Sequence, residues 1–313
     1  MKLKKSITTA LTIAAISATA LLATTAQSQT SISTGVTLPG RNIFALTSDN
    51  SLYVLRPGAT QYSRLGRIEA GNAIGIDFRP ADNTLYALSD IGQIFRVNTT
   101  VSPPTVQLVS TMNPRFIGGF GNVMDFNPQV NALRVTGTND QNIAVVNTNG
   151  DLATTAVQTR LAYAAGDPAA GQDPEISGGA YSNNTAGTAT TIFYMVDHAR
   201  DTLVTIATIT NGSSATGGGS LKTLGNFVDA NGARLDMSPA TDFDIFTDAN
   251  GRNLLVGQTT RLLFSVDLSL VNINLPVGQT QNIVTQRGVE GMQLPLNAPF
   301  LSGGTIDIAV ATR

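Results

Sequence analysis

The chain has 313 residues, a formal net charge of −2, and 42% hydrophobic against 13% charged residues. It contains no cysteine, no tryptophan and one histidine, which excludes disulfides, thiol chemistry and sites built from several histidines. The slightly acidic balance provides no basic face for nucleic acid, so we expect no nucleic-acid partner.

The first predicted element is an export signal over residues 1–26. Three lysines within the first five residues are followed by an uncharged stretch over residues 7–22 and then by small residues. That order is typical of a secretory signal peptide, and the stretch is short and threonine-rich for a membrane span. We therefore predict cleavage before Gln27, a periplasmic or extracellular location, and no integral membrane segment in the mature chain.

Residues 27–42 are polar and are predicted to form a flexible lead-in. From Ile43 onward, short β-rich runs alternate with Gly, Asn, Asp and Pro. Alternating runs such as 51–55 and 93–97, together with Asn-Gly pairs, predict β-hairpins. The sequence shows no helical periodicity, so we predict one all-β domain over residues 43–313.

A segment containing Asp, Phe and Pro recurs along this domain. The segment GIDFRP at 75–80 returns as VMDFNP at 123–128, and looser copies lie at 178–181 and 241–245. Further strand-like runs follow each copy. Such a repeat predicts a β-propeller of about five four-stranded blades, with six blades as the alternative.

The two ends of the domain complement each other. The runs at 43–46 and 51–55 match the second and third strands of a unit, but no Asp-containing strand precedes them. Residues 304–310 supply such a strand. A propeller must join its last blade to its first, because otherwise two sheet edges stay exposed. We therefore predict that residues 304–310 pair with residues 43–47.

Four aspartates occupy what the repeat marks as one position, with Ala180 in the fifth unit. They are Asp77, Asp125, Asp242 and Asp307. The first strand of each blade is the innermost, so these carboxylates are predicted to gather at the central channel. The interpretation we favour is that each accepts backbone N–H bonds from its own or the adjacent blade. The alternative is that two or more of them bind a cation such as calcium, or a polar ligand.

Further candidate ligand-binding residues lie between strands and in a loop rich in Gly and Pro over residues 163–174. They are Arg134, Asn139, Asp140, Gln141, Asn142 and Asp167. The first five are able to hydrogen-bond a sugar or a peptide, but the interpretation we favour is a polar hairpin loop. Long loops on a rigid scaffold often carry function and also tolerate insertions.

Three other motifs are better explained as turns. The single histidine, His198, lacks a Gly-x-Ser-x-Gly elbow that would supply a nucleophile. Asp229 and Asp248 each begin a DANG segment that lacks the other acidic ligands of a calcium loop. Asx-Gly turns explain both segments, so we assign no catalytic residue.

The combined motifs resemble a family of exported bacterial proteins known as the DUF4394 domain, a domain of unknown function. The resemblance rests on the two repeats above, on LRV at 133–135 and QN at 141–142, and on LAYAAGD at 161–167 with Pro174. It covers roughly residues 43–310. It implies a propeller-like fold and export, and it implies no activity.

The function we expect is a non-catalytic binding or interaction module, monomeric, with an extracytoplasmic ligand or protein as partner. The alternative is a glycan hydrolase that uses Asp carboxylates in the central funnel as acid and base. That reaction needs two carboxyl groups roughly 5 to 9.5 Å apart in an open cleft. A third interpretation is a structural component of the cell surface.

Overall fold

The computed structural model describes residues 38–59, 61–118, 121–148, 151–259, 263–287 and 305–312. These ranges contain strands, turns and a 3-10 turn at Leu268–Leu270. No helix in them is long and apolar enough to cross a bilayer. The predicted signal segment and most of the predicted lead-in lie outside the described residues.

Five small antiparallel sheets form the blades of a propeller, which confirms the all-β prediction and its lower blade count among the described residues. The strands follow here from the axis outward. Blade 1 contains Thr305–Val310, Ile43–Thr47, Ser51–Leu55 and Ser63–Arg67. Blade 2 contains Ala73–Arg79, Thr84–Ser89, Gln93–Asn98 and Thr105–Thr111. Blade 3 contains Asn122–Asn127, Ala132–Gly137, Asn142–Thr148 and Asp151–Val157.

The last two blades follow the same order. Blade 4 contains Ile176–Tyr181, Phe193–Asp197, Thr202–Ile206 and Ser220–Val228. Blade 5 contains Asp242–Thr247, Asn253–Gln258, Leu263–Asp267 and Gln286–Arg287. A small hairpin, Ile209–Thr210 with Ser213–Ser214, extends from blade 4.

The ring closes through the strand contributed by the C-terminal part of the chain. Thr305–Val310 pairs antiparallel with Ile43–Thr47, so that Ile43 faces Val310 and Ala45 faces Ile308. This pairing confirms the predicted closure. It completes blade 1 from two distant parts of the sequence and covers an edge that would otherwise be open.

The outer edge of blade 4 carries two additional short strands. Ala162–Tyr163 runs parallel to the start of Ser220–Val228, and Gln281–Val284 runs parallel to its end. The middle of Ser220–Val228, around Thr223, therefore has no strand on its outer side among the described residues. A cleft described below lies at this gap.

Apolar side chains fill the seams between adjacent blades. Inner and middle strands are buried on both faces, because each blade packs on two neighbours. Aromatic rings meet across three seams, with centroid separations of 5.2 Å for Phe44 and Phe78, 5.2 Å for Tyr86 and Phe126, and 6.0 Å for Phe227 and Phe264. Each seam is therefore a separate small core, and closing the ring completes the last one.

Candidate functional site

The channel aspartates lie at two levels along the inner strands. Asp77 and Asp125 share one level with Asp244, and one oxygen from each of these three carboxylates lies within 4.8 Å of the other two. We call these residues the aspartate triad. Asp242 and Asp307 form the second level and hydrogen-bond to each other through their side chains. We call them the aspartate pair.

The prediction that four aspartates occupy one equivalent position is therefore wrong. Asp77 accepts the N–H of Phe126, the residue after Asp125, and Asp244 likewise accepts the N–H of Val310, the residue after Ala309. The residue of blade 5 at the level of Asp77 is therefore Asp244, and that of blade 1 is Ala309. Asp242 and Asp307 stand two residues earlier in their strands. The period-two alternation of a strand keeps both levels on the same side, so sequence spacing alone did not separate them.

Asp77 and Asp244 each accept two backbone N–H bonds. One donor is the next residue of the same strand, and the other lies on the following blade. The distances are 2.6 Å from Phe78 and 2.7 Å from Phe126 for Asp77, and 2.5 Å from Ile245 and 2.5 Å from Val310 for Asp244. Both carboxylates thus tie one inner strand to the next.

Asp125 accepts one backbone N–H bond, from Tyr181 on blade 4 at 3.1 Å. Its own following N–H, on Phe126, is already bound by Asp77. Ala180 in blade 4 and Ala309 in blade 1 have no side-chain acceptor for the inner strand of the next blade. In those next blades, Asp244 and Asp77 therefore accept the backbone N–H of the residue that follows them. Three carboxylates therefore satisfy five N–H groups, and the second oxygen of Asp125 has no hydrogen-bond donor among the described residues.

The aspartate pair joins blade 5 to blade 1 and blade 1 to blade 2. Asp242 accepts the N–H of Ile308 at 2.9 Å, and Asp307 accepts the N–H of Ile76 at 2.5 Å. The hydrogen bond between the two carboxyl groups requires a proton, so the pair carries at most one negative charge while that bond exists.

Glycine at the level of the pair leaves room for these carboxylates. A Cβ atom at Gly75 would lie 3.0 Å from the Asp307 carboxylate and 2.8 Å from Cβ of Met124. At Gly178 it would lie 2.7 Å from the Asp242 carboxylate. The glycine two residues before Asp77 therefore has a steric explanation.

All five channel carboxyl groups are buried, with at most 5% of any of these residues exposed. Loss of solvation raises the pKa of Asp244 to about 7 and that of Asp242 to about 6. Burial, and then the charge of neighbouring aspartates, raises the pKa of Asp77, Asp125 and Asp307 well above the usual carboxyl range. These groups favour a proton or a bound cation near neutral pH.

The triad has the donor set and spacing of an oxygen-ligand cation site. Calcium takes six to eight oxygens at about 2.4 Å, so opposite ligands lie about 4.8 Å apart. The triad oxygens fall within that limit. All three carboxylates are buried. They therefore do not face an open cleft, which the hydrolase alternative requires.

Arg134 and Asn142, two predicted ligand-binding residues, hold blades 3 and 4 together. Arg134 is buried and donates to Asn142 Oδ1 at 2.9 Å, to the Tyr181 hydroxyl at 3.2 Å and to the Gly218 carbonyl at 2.6 Å. Its guanidinium also lies 4.6 Å from the ring centroid of Phe193. These contacts use its donors within the fold.

The other members of that cluster organise a loop. Gln141 Oε1 accepts from the backbone N–H of Ile117 at 2.7 Å and from Asn139 at 2.8 Å. Asp140 has a left-handed backbone conformation (φ 60°) and contacts Arg160 at 3.3 Å. Burial raises the pKa of Asp140. The structure therefore does not bring these residues to the channel.

Asp167 caps the gap in the outer edge of blade 4. Its carboxylate accepts the backbone N–H of Thr223 at 2.7 Å and the Thr223 hydroxyl at 2.8 Å, and it also accepts the N–H of Ala169 at 3.0 Å. The loop over residues 163–174 is thereby attached to the strand Ser220–Val228.

The three motifs interpreted as turns behave as turns. Asp229 accepts the N–H groups of Asn231 and Ala233, and Asp248 accepts those of Asn250 and Arg252. The backbone N–H of His198 donates to the Glu175 carbonyl. Nδ1 of its ring is buried without a hydrogen-bond partner among the described residues.

A cleft of about 820 Å³ opens in blade 4 beside Thr223, and we call it the blade 4 cleft. Its floor is formed by Thr202, Thr223 and Asn226. Its walls come from four segments and include Pro168, Ala169, Gln172, Arg200, Asp201, Arg234, Leu235, Asp236 and Thr280. Sequence analysis singled out one of these segments, residues 163–174, but none of the cleft's charged residues.

Arg200 is held at the wall of the cleft by a buried carboxylate. Its Nη1 donates to Asp197 at 2.8 Å and to the Asp173 carbonyl at 2.9 Å, and its guanidinium lies 5.6 Å from the Tyr163 ring centroid. Asp197 is fully buried and also accepts from the Tyr163 hydroxyl at 2.5 Å. Because Nη1 makes both bonds, Nε and Nη2 of Arg200 have no partner among the described residues.

Solved structures with a similar arrangement include a chain of a nidogen/laminin complex, with 14% identity, 87% of this chain and 98% of that chain covered, and a TM-score of 0.45. A Bacteroides thetaiotaomicron protein of unknown function has 12% identity, 87% and 64% coverage, and a TM-score of 0.46. Regucalcin, a calcium-binding protein from Agrobacterium tumefaciens, has 14% identity, 85% coverage of both chains and a TM-score of 0.40. No curated protein matches the chain significantly.

Most of the chain also matches a family model. The model of a domain of unknown function, DUF4394, matches residues 66–290. That range includes four of the five channel aspartates named above and the loops that form the blade 4 cleft. Because the match covers more than half of its length, the chain belongs to the DUF4394 family.

Proposed function

We propose that this chain is a non-catalytic binding module that takes up a small polar ligand in the blade 4 cleft. The observation that carries the proposal is the cleft itself. Its volume of about 820 Å³ lies within the range typical of small-molecule sites, and it combines apolar walls with amide, hydroxyl, guanidinium and carboxylate groups. The channel carboxylates, by contrast, are buried and engaged with backbone N–H groups.

The module acts outside the cytoplasm in this proposal. The support is the order of a basic start, an uncharged stretch and small residues over 1–26. The intact mass of the exported protein tests this: a chain that begins near Gln27 agrees, and a mass that retains residues 1–26 rejects cleavage. The monomeric state stays a prediction.

The binding proposal is tested by saturation-transfer NMR with neutral monosaccharides, uronic acids, amino acids and dipeptides. We expect signals from at least one compound class. Asn226→Leu should abolish them, because it removes an amide from the cleft floor. The control Asn250→Leu alters an exposed turn of blade 5 and should keep them.

The hydrolase alternative makes a different prediction in the same experiment. Asp201 and Asp236 both line the cleft, so hydrolysis there would depend on their carboxylates. If the chain cleaves oligosaccharides and Asp236→Asn stops the cleavage, the protein is an enzyme. Absence of binding by every compound in the panel would contradict the binding proposal.

We also infer that the aspartate triad holds a divalent cation such as calcium. The support is the close spacing of three buried carboxylate oxygens and the unused oxygen of Asp125. A cation would offset the repulsion among these carboxylates, which otherwise requires protons. Asp77, Asp125 and Asp244 would be the protein ligands, and the cation would join three inner strands.

Calcium titration of chelator-treated protein at pH 7.5 tests this inference. We expect millimolar calcium to raise the melting temperature and Asp125→Asn to lose that response. Asp248→Asn removes an exposed turn carboxylate and should keep the response. An unchanged melting temperature of the wild-type chain on adding calcium would overturn the calcium assignment.

A further inference from the structure

We propose that the blade 4 cleft selects ligands in which a carboxylate lies next to a hydroxyl or amide N–H group, and this specificity rests on the function proposed above. The shared chemistry occurs in a uronic acid and at the carboxyl end of a peptide. The selection comes from the guanidinium donors of Arg200 and Arg234 that are unpaired among the described residues, together with the carboxylate of Asp236; all three residues line the cleft.

The two arginines that line the cleft have donors left over. Arg234 uses Nη2 to donate to the Arg200 carbonyl at 2.6 Å, and the same atom lies 3.8 Å from the Asp201 carboxylate. That second distance exceeds a hydrogen bond. Nε and Nη1 of Arg234 have no partner in the part of the chain that the structure describes, and the same holds for Nε and Nη2 of Arg200.

A guanidinium fork matches a carboxylate with two parallel N–H bonds. Arg200 is the pre-oriented member, because the buried Asp197 and the Tyr163 ring fix its position. Arg234 is the exposed member, with 57% of its side chain accessible, so it is free to adjust to a ligand. The Arg234 backbone also forms a bridge to Val228, which attaches its loop to blade 4.

The acidic groups of the cleft make a simple anion a poor ligand. Asp236 is exposed and has no interaction with the other described residues, and Asp201 accepts the N–H of Met237 at 2.7 Å. These carboxylates repel an anion but accept hydrogen bonds from a ligand that also carries O–H or N–H groups. A ligand that carries a carboxylate and an O–H or N–H group satisfies both the arginines and the aspartates of the cleft.

The floor of the cleft also contains polar groups. Thr202 is 5% exposed, and its hydroxyl is buried without a hydrogen-bond partner among the described residues. Rotation of this side chain is needed before a ligand group in the cleft can hydrogen-bond to the hydroxyl, which would satisfy an otherwise unpaired polar group. Thr202 faces Asn226 on the neighbouring strand, which places a hydroxyl and an amide side by side.

The test compares matched pairs by calorimetric titration: galacturonate against galactose, and N-acetyl-glycylglycine against its amide. We expect at least one acid to bind at least tenfold more tightly than its neutral partner, and the pair that shows this difference identifies the source. Arg234→Gln should remove that preference and leave the weaker binding of the neutral partner. Arg252→Gln, at an exposed arginine of blade 5, should change neither affinity.

Two results would overturn the specificity. The first is that the acid and its neutral partner bind with equal affinity, that Arg234→Gln binds both as the wild type does, and that Asn226→Leu binds neither. That result would reject carboxylate selection, although the cleft would still be a binding site. Absence of binding by all four probes would reject it as well, and the wider panel would then decide whether the cleft binds anything. Acetate at equal concentration should not compete with whichever acid binds, since acetate lacks a donor for Asp236.

Discussion

At the scale of single residues, the aspartate triad shows that identical side chains have different roles. Asp77 and Asp244 use both oxygens to accept backbone N–H bonds, whereas Asp125 uses one. The difference follows from Ala180 and Ala309, which offer no acceptor to the next blade. Replacing each aspartate with asparagine therefore has unequal consequences.

Asp77→Asn should destabilise the fold more than Asp125→Asn. An asparagine has one oxygen, so at position 77 one buried N–H loses its acceptor, which costs about 1–3 kcal/mol. At position 125 the single side-chain oxygen of asparagine is enough to accept the one N–H bond, from Tyr181. Both changes remove one carboxyl group from the same triad, so the relief of repulsion is similar and cancels in the comparison. Urea unfolding measures the difference, and equal losses would contradict the assignment of acceptors.

The sequence allowed the prediction of channel aspartates but not of their levels. The recurring Asp-Phe pair pointed to inner strands, because the repeat aligns them. Asp244 was missed because Asp242 carries the Asp-Phe pair by which the repeat was aligned, and both side chains lie on the same side of the strand. Only hydrogen-bond partners on the next blade distinguish the two positions.

At the scale of strands, the seams between blades differ in composition. Aromatic and aliphatic side chains fill the seam between blades 1 and 2, whereas blades 3 and 4 are joined in large part by Arg134. Arg79 occupies a comparable place between blades 2 and 3, with its guanidinium 6.0 Å from the ring centroid of Phe126. A buried arginine that stacks on the next blade thus recurs at two seams.

Arg134→Lys should lower the free energy of unfolding by about 2 kcal/mol or more. Lysine keeps the charge but lacks the planar fork, so buried acceptors that now bind Arg134 are left unpaired. Arg160→Lys is the control, because its side chain is 69% exposed and such ion pairs contribute about 0–1 kcal/mol. Thermal unfolding of both variants checks this, and similar small losses would show that Arg134 does not hold the seam.

The cluster around Arg134 also shows where sequence reasoning ends. Polar residues between two strands favoured a hairpin loop, with a ligand site as the alternative. The partners that decide the matter, Tyr181 and the carbonyl of Gly218, are 47 and 84 residues away in the sequence. No local pattern reports such contacts. The charged residues of the blade 4 cleft were missed for the same reason.

At the scale of the whole molecule, the propeller depends on a strand that joins the two ends of the domain. Ile308 and Val310 are buried against blade 5. Asp242 accepts the N–H of Ile308, and Asp244 accepts the N–H of Val310. The closure was predictable because no Asp-containing strand precedes residues 43–55, and residues 304–310 supply one. The repeat predicted about five blades with six as the alternative, and the described sheets form five.

A chain that ends at residue 303 should therefore lose stability as a whole. The truncation removes two large buried side chains, each contributing about 1.5–3 kcal/mol, and exposes the edge of the strand Ile43–Thr47. We expect a single unfolding transition at a much lower temperature, or no cooperative transition. Calorimetry measures this, and a melting temperature equal to that of the full chain would contradict the role of the closing strand.

The central claim is that the buried channel aspartates serve the fold by retaining protons or a cation. The measurement that tests it most directly is the free energy of unfolding from pH 5 to pH 8 in the presence of a chelator. A carboxyl whose pKa rises on folding stabilises the folded chain most below its unfolded pKa near 4, and this stabilisation is lost as the pH rises through the folded value of about 6 for Asp242 and about 7 for Asp244. We predict that stability falls by about 1.4 kcal/mol per pH unit for each carboxyl that is ionised in the unfolded chain but protonated in the folded chain. The part of this fall that comes from Asp242 and Asp244 ends once the pH exceeds their folded pKa values. Stability that stays constant or rises between pH 5 and pH 8 would contradict the claim.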